Sequence, residues 1–193
     1  MNNTLKKLIL SENKRFIFLL AIFILALILS SFVYIVTGQG NITHINYESI
    51  SIMNVSDIFI VTIKRNLIYF IAIILLTVIG QSKIINGLFG LISVYFGLSI
   101  IYLIRTLKMD VVYFVLTFTD YFIFFPLLFY FTFISSTISK YTKKTKNLEQ
   151  ITRKFDIIIL SYIKLSLIYL LIVTVYSIGY SYYILILSRL LVR

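Results

Sequence analysis

The chain has 193 residues, of which 60% are hydrophobic and 13% charged, with a mean hydropathy of +1.01. That leaves too little polar surface to cover a soluble globule of this size. With no cysteine and one histidine, His44, the sequence excludes a disulfide framework, thiolate chemistry and Cys-ligated metals and leaves little for a zinc site. The net charge of +11 does not point to nucleic acid, because Lys and Arg stand at the ends of apolar runs, where they serve anionic headgroups and topology.

The first apolar run, residues 16–37, lies between Arg15 and Glu48 in a stretch that holds no acid, Lys or Arg. A membrane span needs about 20 mostly apolar residues, because a helix rises about 1.5 Å per residue through a core about 30 Å thick. Backbone N–H and C=O groups find no water in lipid, so the run is predicted to be helical. Lys6, Lys7, Lys14 and Arg15 precede it as in a signal peptide. The run is longer than an h-region of about 7 to 15 residues and no small-x-small site follows, so it is expected to be a retained anchor.

Residues 38–63 are expected to form the main outer loop, with 58–63 either lying on the surface or extending the next helix. The loop carries two Asn-x-Ser/Thr sequons, at Asn41 and Asn54, of a kind that arises readily by chance in an Asn- and Ile-rich chain. A second span, 66–82, follows Lys64 and Arg65 and ends at Lys83. The third, 84–104, runs to Arg105, so 66–104 forms a tight helical hairpin.

The fourth run, 111–139, contains only Asp120 as a charge. A straight helix of that length would measure about 43 Å and exceed the core by about 13 Å. Pro126, the sole proline, lies near its middle and cannot donate to the carbonyl of Phe122, so an interruption is predicted there. A fifth span, 165–188, lies between Lys164 and Arg189. The fold class is therefore an all-α integral membrane bundle of about five helices, forming a single domain over 1–193. With the N-terminus inside, twelve of the eighteen Lys and Arg fall on the cytoplasmic side and six outside, which favours N-in and C-out.

Three groups of residues are candidates for function. Asp120 stands ten residues after Asp110, about 15 Å along a helix. An acid at that depth costs about 2.5 to 3.5 kcal/mol on insertion scales. It would either cap or pair within the protein, especially if Pro126 opens a new helix, or serve a proton or ion route. Gly87, Gly90, Ser93 and Gly97 form a stripe of small residues on the third helix that allows close helix packing, internal or with a partner. Lys140, Lys143, Lys144 and Lys146 form a polybasic cytoplasmic loop suited to topology anchoring and anionic lipid. Tyr34, Tyr69, Tyr102, Tyr113, Tyr141 and Tyr162 fall near span ends, where their rings reach the headgroups, while Tyr176, Tyr180, Tyr182 and Tyr183 crowd the last helix around Gly179.

The order of these features resembles the stage II sporulation protein M family of bacterial membrane proteins. The matching parts are the N-terminal anchor, the modest outer loop, Arg65-Asn66-Leu67 opening the second span, Asn86-Gly87 with Gly90 and Gly97, and the proline-interrupted FIFFPLLFYFTF. Many members of that family carry a His and a Glu six and two residues before the proline; Asp120 and Phe124 stand there in this chain. The resemblance implies a non-enzymatic scaffold in the bacterial cell membrane that localises peptidoglycan-remodelling partners during sporulation engulfment, without a cofactor. It also implies an alternative, since relatives occur in circular-bacteriocin clusters with roles in export or immunity. A small transporter using Asp120 is a third reading. The lipid bilayer and other membrane or cell-wall-remodelling proteins are the expected partners, and oligomeric state is not legible in the residues.

Overall fold

A computed structural model describes residues 12–37, 52–106, 111–145 and 152–191. These form five helices: α1 (Asn13–Thr37), α2 (Val55–Ile79), α3 (Ser82–Thr106), α4 (Val111–Thr145) and α5 (Thr152–Leu191). No strand occurs among the described residues. Each helix contains a stretch long and apolar enough to cross a membrane, and the chain is an all-α, multi-pass bundle.

Local sequence sets the ends of α2. Asn54 holds an extended N-cap conformation (φ −79°, ψ 150°), and its carbonyl accepts from the amides of Asp57 (3.1 Å) and Ile58 (3.3 Å). Asp57 then lies in the first turn, where a carboxylate complements the positive end of the helix dipole. At the other end Gly80 turns left-handed (φ 86°, ψ 27°), a conformation that costs glycine little. Its amide bonds the carbonyl of Thr77 at 3.1 Å and the amide of Gln81 bonds that of Leu76 at 3.0 Å, the paired closure of a Schellman turn. Gln81 in turn accepts from the amide of Ile85, so Gly80 and Gln81 are the whole connection between α2 and α3.

The expected second span must therefore be corrected. Helix α2 begins at Val55, eleven residues before 66, so 58–63 extends the helix, as one of the two expectations had it, and 55–57 join it as well. Lys64 and Arg65 did not stop the helix because they are exposed, and only their side chains needed a way out of the apolar interior.

The fourth helix needs a similar correction. Helix α4 runs from Val111 to Thr145 without a break across Pro126, so the predicted interruption is confined to one missing hydrogen bond. The same element absorbs part of the supposed polybasic loop: Lys140, Lys143 and Lys144 are on α4, Lys140 is exposed, and Lys146 lies outside the described residues. Helix α5 is longer than the predicted 165–188, at 40 residues or about 60 Å, about twice the thickness of an apolar core of about 30 Å.

Packing divides the bundle into two pairs with α4 between them. Helix α1 lies mainly against α3, and α2 mainly against α5, while α4 touches all four. Residues 131–139 of α4 are buried on every face, as expected only of a helix enclosed by protein. Consecutive helices run in opposite directions, which brings the starts of α1, α3 and α5 to the same end as the finishes of α2 and α4. Arg15, Asn86 and Tyr162 all meet α4 at Ser135 and Ser136, which fixes that alternation.

Candidate functional site

The residues that lock the bundle are aromatic and hydroxylic, and they converge on α4. Its rings reach each neighbouring helix. Phe129 meets Phe16 of α1 edge-on with centroids 5.2 Å apart, and Phe131 meets Phe70 of α2 and Tyr169 of α5 at 4.9 Å. Phe125 stacks on Phe96 of α3 at 4.1 Å. Aromatic pairs in such offset and edge geometries contribute about 0.5 to 1.5 kcal/mol beyond burial. Lipid tails are as apolar as these rings, so helix association rests on this close packing and on polar bonds more than on removal from water.

The polar bonds cluster at the end carrying Arg15. Its guanidinium donates to the backbone carbonyl of Ser136, and its Nε lies 3.9 Å from Glu12 Oε2, a weak pair one turn away. The Ser136 hydroxyl donates to Asn86 Oδ1 at 2.7 Å, which ties α4 to α3. One residue earlier, Ser135 Oγ and the Tyr162 hydroxyl lie 2.9 Å apart, which ties α4 to α5. Tyr162 is 1% exposed, so it is a core strut and not the headgroup anchor its place near a span end implied. Near the middle of α2 Asn66, fully buried, donates from Nδ2 to Ser177 Oγ at 3.2 Å and accepts from Arg65 Nε at 3.1 Å. The hydroxyls of Ser93, Thr132 and Thr142 instead donate to the carbonyl four residues back in their own helices.

The small-residue stripe faces α1 in part. A Cβ on Gly97 would collide with Ser30 Oγ, come within 2.8 Å of Ser30 Cβ and 3.1 Å of Leu27 Cδ2; one on Gly90 would touch Ile22 Cγ2 at 3.4 Å. Ser93 is fully buried between them. Gly87 is different: no heavy atom lies within 4 Å of the place its Cβ would take. The close approach at Gly97 lets Ser30 Oγ donate to the carbonyl of Val94 across the interface at 2.8 Å. Gly90, Ser93 and Gly97 thus serve contact within the chain, and Gly87 does not share it.

Pro126 is exposed and lines a groove between α3 and α4. Asp120 is on α4 six residues earlier, and its side chain lies outside the described residues. Tyr176 and Tyr180 stack at 5.8 Å, and Tyr180 packs into a small cluster with Ile58, so this part of the tyrosine group turns inward while Tyr182 stays exposed. Among the described residues no group of three His, Cys, Asp or Glu is close enough to hold a metal ion.

Sequence reasoning singled out the stripe and Asp120 and missed Ser135, Ser136, Tyr162 and Ser177. The signal was present as polar residues inside apolar runs, which must find partners in lipid. The amides Asn66 and Asn86, noted only for a resemblance, are two of the bundle's cross-helix anchors. Alanine at Asn66 and at Ser177 should show coupling of about 0.6 kcal/mol, at most about 1.7, in a double-mutant cycle of unfolding in mixed micelles. Strictly additive losses would mean that this bond adds nothing.

No family model, no curated protein and no solved structure matches this chain.

Proposed function

We propose that the chain is a non-enzymatic membrane scaffold of the kind the stage II sporulation protein M resemblance implies, holding cell-wall-remodelling partners at a bacterial cell membrane with its N-terminus in the cytosol. One observation supports this reading best: α4 is gripped by all four other helices through direct ring and hydroxyl contacts, which makes the bundle a fixed platform. A helix enclosed over residues 131–139 has little freedom to rock there, whereas a carrier needs one part of the bundle to move against another. The excess of Lys and Arg at the end marked by Arg15 supports the orientation.

The chain has no native cysteine, so single introduced cysteines report sidedness without background. A cysteine at Gln39 should react with an impermeant maleimide from outside intact cells, and one at Asn147 only after lysis. Residues 38–51 replaced by a neutral linker should then abolish photo-crosslinking to outer partners while α2 stays intact. Asp120→Asn should leave that crosslinking unchanged. Equal labelling of both positions from one side would overturn the orientation, and proton flux lost with Asp120→Asn would move the assignment to a carrier.

A further inference from the structure

Two opposite charges stand well inside apolar helices, Arg65 on α2 and Asp120 on α4, and the packing of those helices brings their positions together. Helices α2 and α4 run in the same direction, since α3 turns back from α2 through Gly80 and Gln81 and lies antiparallel to α4, with Phe89 at Phe129 and Phe96 at Phe125. Phe70 of α2 meets both Phe124 and Phe131 of α4, with ring centroids 6.0 and 4.9 Å apart. Five residues back along each helix, Arg65 comes level with residues 119–126 of α4. That interval contains Asp120.

Rotation agrees with depth. Asp120 adjoins Tyr121 and stands one turn before Phe124, and Tyr121, Phe124 and Arg65 line one small cavity of about 50 Å³. Residues four apart share a helix face, so Asp120 belongs to the face on which Phe124 meets Phe70 of α2 and Tyr176 of α5. The arginine is already placed in part. Its Nε donates to Asn66 Oδ1, Asn66 is held by Ser177 of α5, and Arg65 has a further interaction besides that bond.

We infer that Arg65 and Asp120 form an ion pair inside the membrane that fixes α2 against α4 in depth and rotation. A guanidinium presents a planar fork of donors that a carboxylate accepts two at a time. Either charge alone is costly within a span, and charges there pair with one another. Apolar faces set register weakly, because lipid is as apolar as the rings and a slip of one turn exchanges one ring contact for another. A charge has a single mate, and register is the best-attested use of such buried pairs. The pair belongs to the interior of the bundle and does not depend on the scaffold reading.

Solid-state NMR of the full chain in lipid vesicles, with nitrogen-labelled arginine and carbon-labelled aspartate, reads the contact directly. Wild type should show a side-chain contact between an arginine Nη and an aspartate Cγ at about 4 Å, and Asp120→Asn or Arg65→Gln should each remove it. Unfolding in mixed micelles measures what it contributes. Each single variant should lower the transition, and the double variant should lose no more than the worse single, a coupling of about tenfold in the unfolding equilibrium constant. Arg65→Asp sets two acids side by side and should fall furthest, while adding Asp120→Arg to it should recover most of the loss. The same Asp120→Arg added to Lys64→Asp, at the exposed neighbouring position, should recover nothing. No contact that depends on Asp120, strictly additive single losses, or equal recovery at Lys64 would each overturn the pair.

Discussion

Valine at Gly97 should separate α1 from α3 and lower the unfolding transition more than any other change in the small-residue stripe. The first added carbon already meets Ser30 Cβ at 2.8 Å and Leu27 Cδ2 at 3.1 Å. Ser30 has no room to retreat, because its hydroxyl is held by the carbonyls of Ala26 at 2.6 Å and Val94 at 2.8 Å. Overpacking of this sort costs about 1 to 3 kcal/mol. The broken cross-helix bond adds about 0.6 kcal/mol, the mean found for such bonds in membranes. Gly87→Val supplies the control, since nothing lies within 4 Å of its Cβ, and its effect should stay within about 0.5 kcal/mol. Unfolding in mixed micelles, followed by circular dichroism, measures both. Equal losses at Gly87 and Gly97 would mean that helix propensity, and not the contact with Ser30, sets the cost.

Phe131→Ala should be the most damaging truncation in the core. The ring is fully buried, with Phe70 and Tyr169 at 4.9 Å and Tyr162 at 6.3 Å, so its loss opens space where α2, α4 and α5 meet. In a soluble core the same change costs about 3 to 5 kcal/mol, part of it the transfer of the ring from water. Here the separated helices still face lipid, which is as apolar as the core, so most of that transfer share is absent. The cavity share remains, about 2 kcal/mol for a void of roughly 100 Å³ at about 24 cal/mol per Å³. The Ser135–Tyr162 bond lies beside the void, so Phe131→Ala and Tyr162→Phe should be non-additive in the same unfolding measurement. Simple additivity would show that the two contacts are independent.

Hydropathy made five helices legible, and the reason is strict. Backbone groups in lipid have only their own helix to bond to, so a long apolar run has one solution. The ends were less legible where charge and helix do not coincide. Lys64 and Arg65 end the apolar run but sit well inside α2, since a charged side chain on an exposed face interrupts hydropathy without interrupting hydrogen bonds. Pro126 misled in the opposite sense. It removes one donor from α4, and the helix continues on both sides without that bond. The glycine stripe announced close packing without saying which helix would approach, and that proved to be α1 at Gly90 and Gly97 but not at Gly87.

The small cavity lined by Arg65 of α2, Tyr95 of α3 and Tyr121 of α4 was not legible, because no spacing along a chain encodes three helices meeting. Ser135 and Tyr162 show the same limit: each is an ordinary polar residue in an apolar run until its partner is known.

What the amino-acid order settles alone is how many times the chain is able to cross and which end gathers the positive charge, because both follow from transfer between water and lipid, one residue at a time. Which helices pair, and why residues 131–139 of α4 are enclosed, are decided by side chains from distant segments competing for the same space. Those contacts exist only once the helices have assembled.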